Sequence, residues 1–122
     1  MNVLDRFVGH KYINIETYRR TGVAVRTPVW FVEKDGELVL YTLANAGKVK
    51  RIRNIPRVRV APSSFRGHPL GEWIQGDARF LSPEEGRVAD RLLSRKYWTK
   101  CIFDWTAKLR RIPRVYVAVR PR

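Results

Sequence analysis

Residues 41–53, Tyr-Thr-Leu-Ala-Asn-Ala-Gly-Lys-Val-Lys-Arg-Ile-Arg, hold the residue types in this chain best suited to chemistry. An apolar run, Leu38 to Leu43, ends in a loop of small residues that opens directly into a basic helix start. A helix N-terminus presents unpaired N–H groups and the positive end of the peptide dipoles, so it suits an anion. Gly47 has no Cβ to hold a ligand off the backbone. Lys48, Lys50 and Arg51 add fixed positive charge beside it. Strand, small loop and cationic helix start together read as a phosphate cradle. They also fit an ordinary strand-to-helix turn with a solvated basic face. The segment by itself leaves both open.

Other chemistry is thinly supplied. The histidines, His10 and His68, have no second ligand at useful spacing, so no metal site is expected. Ser63 and Ser64 lack the surroundings of a nucleophile elbow. Glu84 and Glu85 fit a helix cap, and Glu33, Asp35 and Glu37 read as an exposed hairpin tip. The Gly47–Lys48 pair lacks the remaining residues of a Walker loop. Cys101 is the single cysteine, so no internal disulfide is available; its neighbours Ile102, Phe103 and Trp105 suggest a buried, inert thiol. An enzyme built on this sequence borrows its reactive group from a cofactor.

The elements that must position these residues follow from periodicity. Lys11–Tyr18 alternates, with Ile13, Ile15 and Thr17 on one side, and predicts a half-buried strand. Val23–Val32 predicts a longer strand interrupted by Pro28, which suggests an edge, a bulge or the approach of a ligand. Asp35-Gly36 marks a hairpin returning through Leu38–Thr42. A helix from Lys48 to about Ile55 buries Val49, Ile52 and Ile55 and stops at Pro56. Arg57–Ala61 and Glu72–Leu81 read as strands, with Arg57 and Arg59 on a solvated face and Gly76 at a bulge or close approach. Ser82-Pro83-Glu84-Glu85 is a capping box, and its helix runs to about Lys96 on Val88, Ala89, Leu92 and Leu93. Val115, Val117 and Val119 alternate in a last strand, and Asn2 caps a short N-terminal helix. Six strands in mostly hairpin order, with short helices between them, predict a mainly β fold that closes into a small antiparallel barrel.

The chain's 122 residues, 44% hydrophobic, suit one domain over 1–122 with one core. A net charge of +14 predicts an anionic partner: nucleic acid, a membrane surface, or a phosphorylated or polycarboxylate molecule. No apolar run reaches membrane-spanning length. Asp5, Arg6 and His10 break any signal-peptide pattern, which leads to the expectation of a cytoplasmic protein.

Several phrases, in order, resemble a known family. They are Tyr12-Ile13-Asn14-Ile15-Glu16-Thr17-Tyr18-Arg19, Gly22, Thr27-Pro28-Val29-Trp30-Phe31, Tyr41-Thr42, Gly47 to Val58, and Gly71 to Arg79. Together they resemble the pyridoxamine 5'-phosphate oxidase superfamily of split β-barrel flavoproteins, and within it the branch that uses the deazaflavin coenzyme F420. The resemblance runs from about Lys11 to Leu81. It implies a six-stranded FMN-binding-type split barrel and a homodimer with cofactor sites between the barrels. It further implies that Thr27, Pro28, Val29 and Trp30 line the ring system, largely through backbone groups. Thr42, Gly47, Lys48 and Lys50 hold the phosphate end, Tyr41 and Ala46 flank it, and Arg51 stands by. Some relatives carry Arg where this chain has Ala46. The pyridoxal-phosphate tail of the true oxidases is not evident, so pyridoxamine phosphate oxidation is not expected.

The function this implies is an F420-dependent oxidoreductase that moves a hydride between the deazaflavin and a small organic acceptor. An FMN enzyme of the same fold is the first alternative. A basic nucleic-acid-binding barrel is the second, disfavoured because the aromatics fall in apolar strands rather than among the basic residues. A cofactor carrier without turnover is a further one. Trp30 and Trp73 fit either the cofactor ring or the core or dimer interface. Trp98, Trp105, Lys108, Arg110 and Arg111 either cover the pocket or close the barrel end.

Overall fold

Six antiparallel strands close into a barrel in the spatial order β1-β2-β3-β6-β5-β4. The computed structural model describes residues 3–97 and 113–122. The strands are β1 (Tyr12–Tyr18), β2 (Ala24–Lys34), β3 (Glu37–Leu43), β4 (Arg57–Ser63), β5 (Ile74–Phe80) and β6 (Arg114–Pro121). Helix α1 (Gly47–Asn54) joins β3 to β4, α2 (Pro83–Lys96) joins β5 towards β6, and Val3–Phe7 form a 3₁₀ turn. This is the mainly β, split-barrel architecture that the sequence suggested. Asn2, Cys101 and the Trp98–Arg111 segment, on which expectations were placed, lie outside the described residues.

Local chemistry explains the joints. Asp35 and Gly36 both take positive φ, 52° and 78°, as a tight β2–β3 hairpin requires. Pro56 follows α1 and stops it. The capping box of α2 is complete: the Glu85 N–H donates to Ser82 Oγ at 3.2 Å, and the Ser82 N–H donates to Glu85 Oε1 at 3.1 Å. Inside the barrel, Ile13, Ile15, Phe31, Leu38, Leu40, Val58, Val60, Val117 and Val119 form the core, joined by Leu4, Phe7 and Ile52. On the outer wall, Ala89 and Leu93 of α2 pack on Val32, Val39 and Ala118.

Four expectations are corrected. Strand β1 is buried on both faces rather than one: Asn14 is 2% and Glu16 1% exposed. Glu16 tolerates this because it accepts from Arg26 Nε at 2.7 Å, from Arg59 Nε and Nη2 at 2.7 and 2.9 Å, and from the Tyr18 hydroxyl at 2.6 Å. Arg59 is therefore tied to Glu16 rather than freely solvated, while Arg57 is exposed. Glu37 is buried, not part of a hairpin tip, because Arg79 donates to both its oxygens at 3.0 and 3.2 Å. Val88 is exposed; Ala89 and Leu93 carry that face of α2.

Gly76 sits in regular register opposite Val58 and is a close-approach point, not a bulge. A Cβ there would lie 2.6 Å from Val119 Cγ1 and 3.0 Å from the Arg120 carbonyl oxygen. Substitution by alanine has to move β6.

Candidate functional site

Strand β2 changes neighbours along its length, and the site opens where it does. Tyr18↔Ala24 through Tyr12↔Trp30 pair β1 with β2. The β2–β3 ladder runs only from Lys34↔Glu37 to Phe31↔Leu40. Beyond that point β3 stays with β6, pairing Tyr41, Thr42 and Leu43 with Tyr116, Val115 and Arg114. Residues 24–30 of β2 and 41–43 of β3 therefore part company. Pro28 falls on this stretch, where a strand with one neighbour tolerates a residue that cannot donate.

A cleft of about 350 Å³ fills the gap. Pro28, Val29 and Trp30 of β2, Tyr41 and Leu43 of β3, and Tyr12 of β1 form its largely apolar walls. Thr42, Asn45, Ala46 and Lys48 complete it at the start of α1. Trp30 is held in place by stacking on Tyr97, with ring centroids 4.8 Å apart and planes 8° from parallel, and it leans on Tyr41 at 6.3 Å. Tyr97 is itself anchored. Its hydroxyl donates to the Lys11 carbonyl at 2.6 Å and accepts the Phe31 N–H at 3.2 Å. Burial pushes that hydroxyl up to about 12.

Lys48 is the electrostatic feature of the cleft. It is half-buried and makes no hydrogen bond or ion pair among the described residues. Burial, reinforced by the charge of Arg51, holds its ammonium below the ordinary lysine value. It stands in the first turn of α1. The N-cap of that helix, Ala46, provides no side-chain acceptor, and the turn contains no acidic residue. A cation kept from water without a partner is costly. An anion in the cleft would relieve that cost and take up the free N–H groups of the turn as well.

The expected site residues divide between two places. Pro28, Val29, Trp30, Tyr41, Thr42, Ala46 and Lys48 meet in this cleft. Gly47, Lys50 and Arg51 line a neighbouring cleft of about 340 Å³, with Arg19 and Arg20 of the β1–β2 turn. Thr27, half-buried opposite Ile15, lines neither. The space above Gly47 is taken by Arg51: a Cβ would lie 2.7 Å from Arg51 Nη1. Arg51 Nε donates to Thr17 Oγ1 at 2.7 Å, so the side chain is tied back across the glycine. Trp73 is remote from the cleft, with the guanidinium groups of Arg26 and Arg59 4.6 and 5.4 Å from its ring. Sequence reasoning missed Tyr12 and Tyr97. Tyr12 had a signal, since it leads the polar face of β1; Tyr97 had none, because its role depends on where α2 ends in space.

No protein-family model and no curated protein matches the chain. Solved structures do. Conserved hypothetical protein Rv2991 of Mycobacterium tuberculosis is 21% identical, with a TM-score of 0.75 over 98% of this chain and 78% of that one. HutZ, a heme storage protein of Vibrio cholerae, is 11% identical, with a TM-score of 0.76 over 98% and 87%. A protein described as an F420 reductase is 16% identical, with a TM-score of 0.63 over 100% and 94%. At such identities the likeness is one of fold. The fold is the split β-barrel of the pyridoxamine 5'-phosphate oxidase-like proteins. Neighbours described as a heme storage protein and as an F420 reductase share this barrel, so the site, not the fold, has to argue function. Among the described residues, no helix is long and apolar enough to cross a membrane.

Proposed function

We propose that this chain is a cytoplasmic, single-domain oxidoreductase that works as a homodimer and binds coenzyme F420. One observation carries the reading: the half-buried, unpaired Lys48 at the uncapped start of α1, at the polar end of an apolar cleft. That donor set fits a ring system bearing a phosphate. Bound in its reduced form, F420 would supply a hydride to a small organic acceptor and be left oxidised.

The chain's own residues do the rest. Pro28, Val29, Trp30 and Tyr41 wall the ring away from water. The stack on Tyr97 fixes Trp30, so the wall is set before the ring arrives. Lys48 and the first-turn N–H groups hold the phosphate, with Thr42 beside them. Across Gly47, the cleft lined by Arg19, Arg20, Lys50 and Arg51 has no carboxylate among its lining residues. It favours a ligand with acidic groups beyond the phosphate, hence F420 over FMN. Tyr97 is a poor proton donor, because its hydroxyl is committed to backbone groups and burial pushes it up to about 12.

Fluorescence titration with F420 and FMN tests this. Saturable F420 binding that Lys48→Ala weakens is expected. Failure of both cofactors to bind removes the proposal. A preparation that purifies yellow with FMN moves the same site to the FMN alternative. A monomeric mass by light scattering removes the homodimer.

A further inference from the structure

A second cleft, of about 720 Å³, shares no residue with the first. It opens between Arg53 at the end of α1, Phe80 and Leu81 after β5, the first turns of α2, and the start of β6. Among the described residues, four guanidinium groups line it, Arg53, Arg87, Arg91 and Arg114, and Asp90 is the single carboxylate. It is already engaged, accepting from the Tyr116 hydroxyl at 2.5 Å and from Arg114 Nη1 at 3.3 Å. Arg53, Arg87 and Arg91 have no ion pair among the described residues.

Arg53, Arg87 and Arg91 are exposed, so their mutual repulsion is modest. Arg87 and Arg91 are one helical turn apart and share a face of α2, and like charges at that spacing repel. Arg53 approaches from the other helix, its guanidinium 5.5 Å from the centre of the Phe80 ring. The helix dipole is not the attraction, because Ser82 and Glu85 already cap α2. Apart from Ser82, the rest of the described lining is largely apolar. The Tyr116 ring lies against Gly86, where a Cβ would stand 3.0 Å from it, and Leu81, Pro83 and Val115 continue the surface.

We propose that this cleft is a second ligand site, for an organic molecule that joins a phosphate or carboxylate to an aromatic or other apolar body. The anionic group lies between Arg53 and the Arg87–Arg91 pair. The apolar body rests on the Phe80 and Tyr116 side. Guanidinium groups match both oxyanions in bidentate geometry. The proposal does not depend on the cofactor reading, since none of its residues belongs to the first cleft.

Isothermal titration with phenyl phosphate, benzoate and inorganic phosphate tests it, and phenyl phosphate against benzoate tells which oxyanion is preferred. Phenyl phosphate should bind more tightly than inorganic phosphate. The exposed-residue double variant Arg87→Ala/Arg91→Ala should weaken phenyl phosphate binding about tenfold or more, the loss expected for two charge-assisted contacts. In Lys48→Ala, which disables the first cleft's own phosphate contact, the binding event that depends on Arg87 and Arg91 should persist. Equal affinity for phenyl and inorganic phosphate overturns the proposal, because it indicates a solvated basic rim. Loss of binding in Lys48→Ala, or full binding in the double variant, also overturns it, because the ligand then sits elsewhere. If F420 and FMN fail while these results hold, the first reading falls and this one stands.

Discussion

Two charged places in this barrel, Glu16 and Lys48, are each drawn out of water, yet only one is complete. Glu16 accepts from two arginines and a tyrosine, and Trp73 lies against the same arginines. Its electrostatics are closed, and the bonds hold its carboxyl down to about 2 despite burial. Lys48 has no partner among the described residues, and burial shifts it the other way, toward its neutral form. A saturated buried charge ties elements together; an unsaturated one waits for a ligand. Composition alone treats both as members of one +14 total.

The largest effect should come from opening the closed node. Glu16→Gln leaves Arg26 and Arg59 without their carboxylate. Because both arginines keep solvent contact, the cost should be about 2–3 kcal/mol, below that of breaking a fully buried pair. Thermal or urea unfolding measures it. F420 affinity of the folded protein should not change; if it does, the two regions are not separate.

Next comes Lys48→Ala. Losing the charge-assisted contact should weaken F420 binding roughly 10- to 100-fold. Stability should hold or rise slightly, because a half-buried cation without a partner among the described residues is removed. A fall in stability matching that of Glu16→Gln would erase the contrast.

The two places also differ in pH response. The folded pKa of Glu16 lies below its usual 4.5, so its stabilisation is present above pH 4.5 and is lost as pH falls toward about 2. Glu85, also lowered to about 2, loses its contribution in the same window. Acid unfolding curves should therefore flatten only in part in Glu16→Gln. Lys48 acts at the other end. An anion binds its charged form, so F420 affinity should fall as pH rises through its depressed pKa. Titrations toward alkaline pH should show this decline setting in below the ordinary lysine range, and Lys48→Arg should remove it.

The smallest effect belongs to Lys50, exposed on the far side of Gly47. Lys50→Ala should cost about two- to threefold in F420 affinity at low salt and nothing at high salt, as screened contacts do. An equal loss at both ionic strengths would make Lys50 a direct phosphate ligand.

Much of the fold was legible because its signals are short-range. Alternation in Ile13–Thr17 and Val115–Val119, the Asp35-Gly36 turn, the Pro56 stop and the Ser82–Glu85 box each act within a few residues. The site was half legible for the same reason. The helix start marked Lys48, but nothing local said that Lys50 and Arg51 face another cleft, or that Arg51 would occupy the space over Gly47. Glu37 looked like a turn residue because its partner, Arg79, lies 42 positions on.

What this amino-acid order determined unaided was its strands, helices and turns, along with the residues able to receive an anion. Tertiary structure alone decided which charges are satisfied and where β2 leaves β3 to make a cleft. The physical reason is range. Propensity, capping and turn geometry are set by neighbours along the chain. Pairing Glu16 with Arg59 across 43 residues, or parting two strands, is set by closure of the whole barrel.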